Sequence, residues 1–169
     1  MKKLSARDLT LAAIVGAIYV VLGYFGNTFN LTFGVVQCRF SEALTVLPFL
    51  TPVTGWGLYI GCVITNLLSP YGPLDMIFGP LATLLAALLT AKCKKKWLAP
   101  LPPVLCNAVI IGALIAFQEA GFSFSGAFSA AFLYNALTIG AGQVLACYGL
   151  GMPLLAVMER LTPKMRKDS

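Results

Sequence analysis

Long, almost uncharged apolar runs follow one another along this sequence: Leu9 to Phe25, Phe40 to Leu68, Leu74 to Ala91, a run after Pro103 to Phe117, and Ala130 to Met158. The runs are continuous rather than alternating, which is the pattern of buried helices and not of barrel strands. With 59% hydrophobic and only 11% charged residues, the chain carries more apolar surface than a water-soluble core can absorb. A hydrocarbon layer ~30 Å thick takes roughly 17–25 helical residues per crossing, so about six crossings fit, with short loops and no soluble domain beside them. The expected architecture is all-α: a six-transmembrane-helix bundle forming a single domain over residues 1–169.

Eleven of the twelve basic residues fall in three clusters at the ends of apolar runs: Lys2, Lys3 and Arg7; Lys92, Lys94, Lys95 and Lys96; Arg160, Lys164, Arg166 and Lys167. Cytoplasmic loops carry this bias. The net charge of +6 therefore points to anionic lipid as a partner, and not to nucleic acid. Both termini are then cytoplasmic, and parity fixes the count. One helix over residues 40–68 would place three crossings between the first two clusters, whereas two helices give the even number that a shared side requires. The run is expected to divide near Pro52-Val53-Thr54-Gly55 into two short spans partly inside the bundle, where proline is tolerated. Met1-Lys2-Lys3 before an apolar run has the look of a signal peptide, but no small-residue cleavage site follows Phe25, so the first span is expected to remain.

This orientation gathers the charges outside the basic clusters and their flanking acids at one end. Arg39, Glu42, Asp75 and Glu119 lie at the outer ends of spans, joined by Asn66, Gln118 and Asn135, with Asn107 and Gln143 deeper. Charges near hydrocarbon are costly and face a bundle interior or an aqueous cavity. The set describes a mildly anionic pocket opening outward, suited to a small ligand with positive charge or several hydrogen-bond donors. Each residue also has a local explanation. Arg39 and Glu42, three apart, can pair with each other; Asp75, after Gly72-Pro73-Leu74, can cap a helix; Asn107, Asn135 and Gln143 can bridge helices. Glu119, nearest bulk water, is the weakest candidate. Tyr59, Tyr71, Phe117, Phe132 and Tyr134 are aromatics that can stack on a planar ligand or serve as packing, and Trp56 and Trp97 read as cytoplasmic interface anchors. In the first span Ala13 and Ala17 make an A-x-x-x-A pattern, and Ala12 and Gly16 an A-x-x-x-G pattern. Such spacing lets another helix approach closely, either a neighbour in the bundle or a separate subunit.

The five cysteines show no C-x-x-C spacing and histidine is absent, which argues against a zinc or thiol redox centre. There is no P-loop, no proton relay through the inner half and no nucleophile–base pair. No catalytic residue, metal or cofactor is therefore assigned, and ATP hydrolysis would have to come from another chain. No internal repeat supports the inverted-repeat plan of many secondary carriers.

Four segments are familiar: Gln37 to Phe49 (QCRFSEALTVLPF), Leu74 to Ala87 (LDMIFGPLATLLAA), Leu98 to Asn107 (LAPLPPVLCN), and Asn135 to Pro153. They resemble the QueT family, substrate-binding (S) components of energy-coupling factor (ECF) transporters. The resemblance implies a six-helix bundle in the bacterial cytoplasmic membrane that captures a queuosine precursor, 7-aminomethyl-7-deazaguanine or a related deazapurine, from outside. It implies partners as well: a transmembrane coupling (T) subunit and two cytoplasmic ATPases. By the same resemblance Arg39, Glu42, Asn66, Tyr71, Asp75, Asn107, Asn135 and Gln143 are substrate-binding candidates, and Ala13, Gly16 and Ala17 match the surface offered to the coupling subunit. Glu42 and Asp75 are expected to supply two carboxylates, one for the N–H donors of the guanine edge and one for the aminomethyl cation. The amides would meet the carbonyl and ring nitrogens, with Tyr71 or Phe40 stacked on the base. Many members carry glutamate where this sequence has Gln143. The alternative is an S component for another vitamin-like cation such as thiamine; an autonomous secondary carrier or an intramembrane enzyme are readings of other classes.

Overall fold

The computed structural model describes residues 5–33, 37–124 and 126–161, and no strand occurs among them. Lys2, Lys3, Lys164, Arg166 and Lys167 of the basic clusters lie outside the described residues. Helix α1, Ala6–Thr28, opens at a capping box in which the Ser5 hydroxyl accepts from the Asp8 N–H at 3.2 Å and the Asp8 carboxylate accepts from the Ser5 N–H at 3.0 Å. The helix runs on past Phe25, taking in Asn27, and the chain turns at Asn30, whose φ of 56° lies in the left-handed region.

The run over residues 40–68 divides where proline and glycine predict, but its first half takes an unexpected form. Phe40–Phe49 is a 3-10 helix, followed by α2, Thr54–Asn66. A 3-10 helix rises about 2 Å per residue against about 1.5 Å for an α-helix, so a short segment reaches farther across the bundle. Ser41 through Pro48 are all buried, so this segment threads the interior instead of facing lipid. Then come α3, Gly72–Ala91, with Pro73 in its first turn, α4, Lys96–Glu119, and α5, Gly126–Leu161. Single π-type stretches interrupt α4 at Asn107–Ile111 and α5 at Leu145–Gly151. Helices α1, α3, α4 and α5 are long and apolar enough to cross a membrane.

Close contacts give the directions. Gly57 lies against Ala12, Gly61 against Gly16 and Tyr19, and Gly23 against Thr65, so α1 and α2 are parallel and the 3-10 helix between them runs back. Gly151 against Ala43 and Gly142 against Gln37 align α5 with that 3-10 helix. Gly55 meets Ala87 while Gly79 meets Asn66, making α3 antiparallel to α2; Gly112 meets Ala136 while Gly140 meets Ala108, making α4 and α5 antiparallel. The Thr90 hydroxyl donates to the Ala99 carbonyl at 3.1 Å, and Gln118 donates to the Tyr71 carbonyl at 2.8 Å, which makes α3 and α4 antiparallel as well.

The distribution of side chains is inverted relative to a soluble protein. Ile14, Val21, Leu85, Leu133 and Leu137 are exposed, whereas Glu42, Asn66 and Asp75 are completely buried. Such an exterior suits lipid. Of the three small residues expected at a subunit-docking surface, Gly16 is buried in the α1–α2 seam, where a Cβ on it would come within 2.8 Å of the Gly57 carbonyl oxygen. Ala13 and Ala17 stay exposed.

Candidate functional site

The 3-10 helix, the ends of α2 and α3, the middle of α4 and the first half of α5 bring the polar residues of the apolar runs together inside the bundle. Arg39, Glu42, Asn66, Asp75, Asn107, Asn135 and Gln143 are all buried, Tyr71 is half-buried, and Glu119 is exposed. They form two groups and a rim pair.

The deeper group centres on Glu42. The Tyr19 hydroxyl of α1 donates to its Oε1 at 2.5 Å, and Asn107 Nδ2 of α4 donates to its Oε2 at 3.3 Å. Its backbone carbonyl accepts from the Thr45 hydroxyl at 2.6 Å and from the Cys147 thiol at 3.5 Å. Cys147 also donates to Gln143 Oε1 at 3.6 Å, which brings α5 to the same carboxylate region. The outer group centres on Asp75. Arg39 Nη2 lies 3.7 Å from its Oδ2, while Arg39 Nε donates to the Thr32 carbonyl at 3.0 Å and the guanidinium sits 4.9 Å over the Phe33 ring. The Ser69 hydroxyl donates to Asp75 Oδ2 at 2.5 Å, and Asn66 Nδ2 donates to the Asp75 backbone carbonyl at 3.0 Å. Gly79 makes room for this arrangement, since a Cβ there would come 3.1 Å from Asp75 Oδ1 and collide with Asn66 Nδ2. The Tyr71 hydroxyl donates to the Phe33 carbonyl at 3.2 Å. At the rim, Asn135 Nδ2 donates to Glu119 Oε2 at 2.7 Å and to the Ala131 carbonyl at 3.0 Å.

Two local explanations from sequence give way here. Arg39 pairs with Asp75 and not with Glu42, because Arg39 stands at the N-cap of the 3-10 helix with extended backbone (φ −73°, ψ 110°), which turns its side chain out of the helical row. Asp75 is not a helix cap: Tyr71 holds that position, and the Asp75 carboxylate goes to Ser69 and Arg39. The Phe40 ring lies 6.3 Å from that of the exposed Phe25, and Phe33 is the aromatic beside Arg39. Phe117 and Phe132 belong to a chain of ring contacts with Phe122, Phe124 and Phe128, and Tyr134 is exposed.

Sequence reasoning did not single out Tyr19 or Ser69. The available signal for Tyr19 was depth: interfacial tyrosines sit at span ends, and this one lies mid-helix. Among the described residues, no three His, Cys, Asp or Glu side chains gather as a metal site would require. Five buried side-chain atoms among the described residues have no hydrogen-bond partner: Gln37 Nε2, Arg39 Nη2, Ser41 Oγ, Asn66 Oδ1 and Asp75 Oδ1. An unpaired buried polar group costs about 1–3 kcal/mol, so each of these atoms calls for a further hydrogen-bonding partner.

A family model described as QueT transporter matches residues 9–160. The queuosine precursor transporter QueT of Lactococcus lactis subsp. cremoris (strain MG1363) is 37% identical over 84 residues, covering 50% of this chain and 49% of that relative. The chain thus spans, in that match, about half the length of its curated relative. No solved structure matches.

Proposed function

The chain belongs to the QueT transporter family, and from that premise we propose that it is the substrate-capture component of an ECF-type importer, binding a queuosine precursor such as 7-aminomethyl-7-deazaguanine from outside. The family is one of transporters and not of enzymes, and the chain is a multi-pass protein of the cell membrane. In this reading the bundle crosses six times, with both termini in the cytoplasm. The alternating directions of its helices support that topology, as does the meeting of Lys96 and Glu159, 3.1 Å apart, at the end opposite the polar layer.

The observation that carries the proposal is the fully buried Arg39–Asp75 pair, set among uncompensated hydrogen-bonding atoms inside a lipid-facing bundle. Charges are kept in such a place for a solute. The chain shows no nucleotide-binding loop, so energy for release inward comes in this reading from a coupling subunit and two ATPases, as in ECF systems.

Titration of the purified chain in detergent tests it. Saturable binding of 7-aminomethyl-7-deazaguanine, undisturbed by excess thiamine, is the expected result. Thiamine binding without deazapurine binding would make it a receptor for another cation. Vesicles holding the chain alone should accumulate no deazapurine, and accumulation there would mark an autonomous carrier.

A further inference from the structure

We infer that the Arg39–Asp75 pair, with Gln37 and Asn66 beside it, reads a planar ligand edge on which a carbonyl oxygen adjoins N–H donors, and that Glu42 holds the bundle without touching the ligand. The inference rests on the deazapurine reading above and assigns its two carboxylates different work.

The two carboxylates differ in what they already hold. Both Glu42 oxygens accept hydrogen bonds, one from α1 through Tyr19 and one from α4 through Asn107. Asp75 uses only Oδ2; its Oδ1 is buried with no partner. Its cationic neighbour is equally incomplete, because Arg39 Nη2 stands 3.7 Å away, close enough for attraction but too far for a hydrogen bond, and has no other acceptor. A half-satisfied buried ion pair is costly by itself and is made good by a third party bonding to both members.

The free atoms also specify that third party. Asp75 Oδ1 and Asn66 Oδ1 accept, and the Asn66 amide is oriented by its Nδ2 bond to the Asp75 carbonyl, which leaves the oxygen as the free end. Arg39 Nη2 and Gln37 Nε2 donate, the Gln37 amide lying next to the Tyr71 hydroxyl without meeting good hydrogen-bond geometry to it. A simple organic cation would serve the acceptors and leave both donors bare. A lactam edge with an adjacent amino group serves both kinds, its oxygen toward Arg39 and Gln37 and its N–H groups toward Asp75 and Asn66. Gly79, with no side chain of its own, leaves the Asn66 amide and Asp75 Oδ1 room to lie side by side.

The test uses the full chain in detergent with two ligand pairs: guanine against hypoxanthine, and 7-aminomethyl-7-deazaguanine against its analogue without the 2-amino group. Loss of the amino group should weaken binding to the wild type by about tenfold or more. Asp75→Asn should weaken the parent ligands and reduce that ratio below about threefold, whereas Glu42→Gln should keep it near tenfold. Gln37→Met, in a non-helical segment, should weaken both members of a pair by a common factor, and covers the case in which Asp75→Asn does not fold. A ratio that survives in Asp75→Asn, or vanishes in Glu42→Gln, overturns the inference; so does Gln37→Met binding like wild type. Wild-type protein that binds deazapurines without discriminating within either pair sinks the edge assignment and leaves the function standing. Discrimination confined to guanine, with no deazapurine bound, sinks the function and leaves the edge assignment. Binding of neither sinks both.

Discussion

At Glu42 a carboxylate stands inside a bundle whose exterior is hydrocarbon, and two neighbours on different helices keep it there. The Tyr19 hydroxyl at 2.5 Å makes the shorter of the two bonds and ties α1 to this carboxylate. Tyr19→Phe deletes one hydroxyl and keeps the ring, so it leaves a buried carboxylate oxygen unserved. Thermal or denaturant unfolding in detergent should show a loss of about 1–3 kcal/mol. Glu42→Gln should cost less, because its amide can still both accept and donate. A Tyr19→Phe variant as stable as wild type would contradict this account of Glu42. The charged members of the site were legible in the sequence because an idle charge within an apolar run is too expensive to keep, and Arg39, Glu42 and Asp75 stand out on that ground alone. Their pairing was not. It turns on the extended backbone at Arg39 and on residues of unremarkable type, Tyr19, Phe33 and Ser69, which occur as readily in packing and loops.

Between elements, the tightest join is the parallel seam of α1 and α2, where glycine replaces side chain with backbone contact. At Gly57 an added Cβ would overlap the Ala12 carbonyl, an atom of the helix backbone that cannot swing aside. Gly57→Ala therefore has to push two helices apart and should destabilise the protein by about 1–3 kcal/mol. Gly149 is the matched control: it lies exposed on α5 with open space around its would-be Cβ, so Gly149→Ala should be neutral or slightly stabilising by the usual helical preference. Equal melting curves for the two variants would refute the seam. Small-residue spacing in α1 did announce a close approach, but it could not say to which helix, since the partner glycines Gly57 and Gly61 lie in a different run. The break near Pro52 was readable from parity and proline. The 3-10 form of Phe40–Phe49 was not, because its advantage is reach, a property of the whole bundle and not of local propensity.

Across the whole molecule, charge sorts the two ends. The polar layer with Arg39 and Asp75 lies at one end, and Lys92 to Lys96 lie at the other with the last turns of α5. The 36 residues of α5 rise about 54 Å, well beyond a ~30 Å hydrocarbon core, so its final turns stand clear of lipid and bring Glu159 to Lys96. That exposed pair adds under about 1 kcal/mol, and orientation must come instead from the lysines, which resist transfer across the membrane. The consequence is measurable in cells. With the native cysteines replaced by alanine, a single cysteine in place of Pro70, which is exposed in the turn between α2 and α3, should react with an impermeant maleimide added outside intact cells. A single cysteine in place of Lys94 should react only after the membrane is opened. The two sites lie at opposite ends of α3, so one helix separates them and their labelling must be reciprocal. Reversed labelling would turn the Arg39–Asp75 layer toward the cytoplasm, where it could not receive a solute arriving from outside.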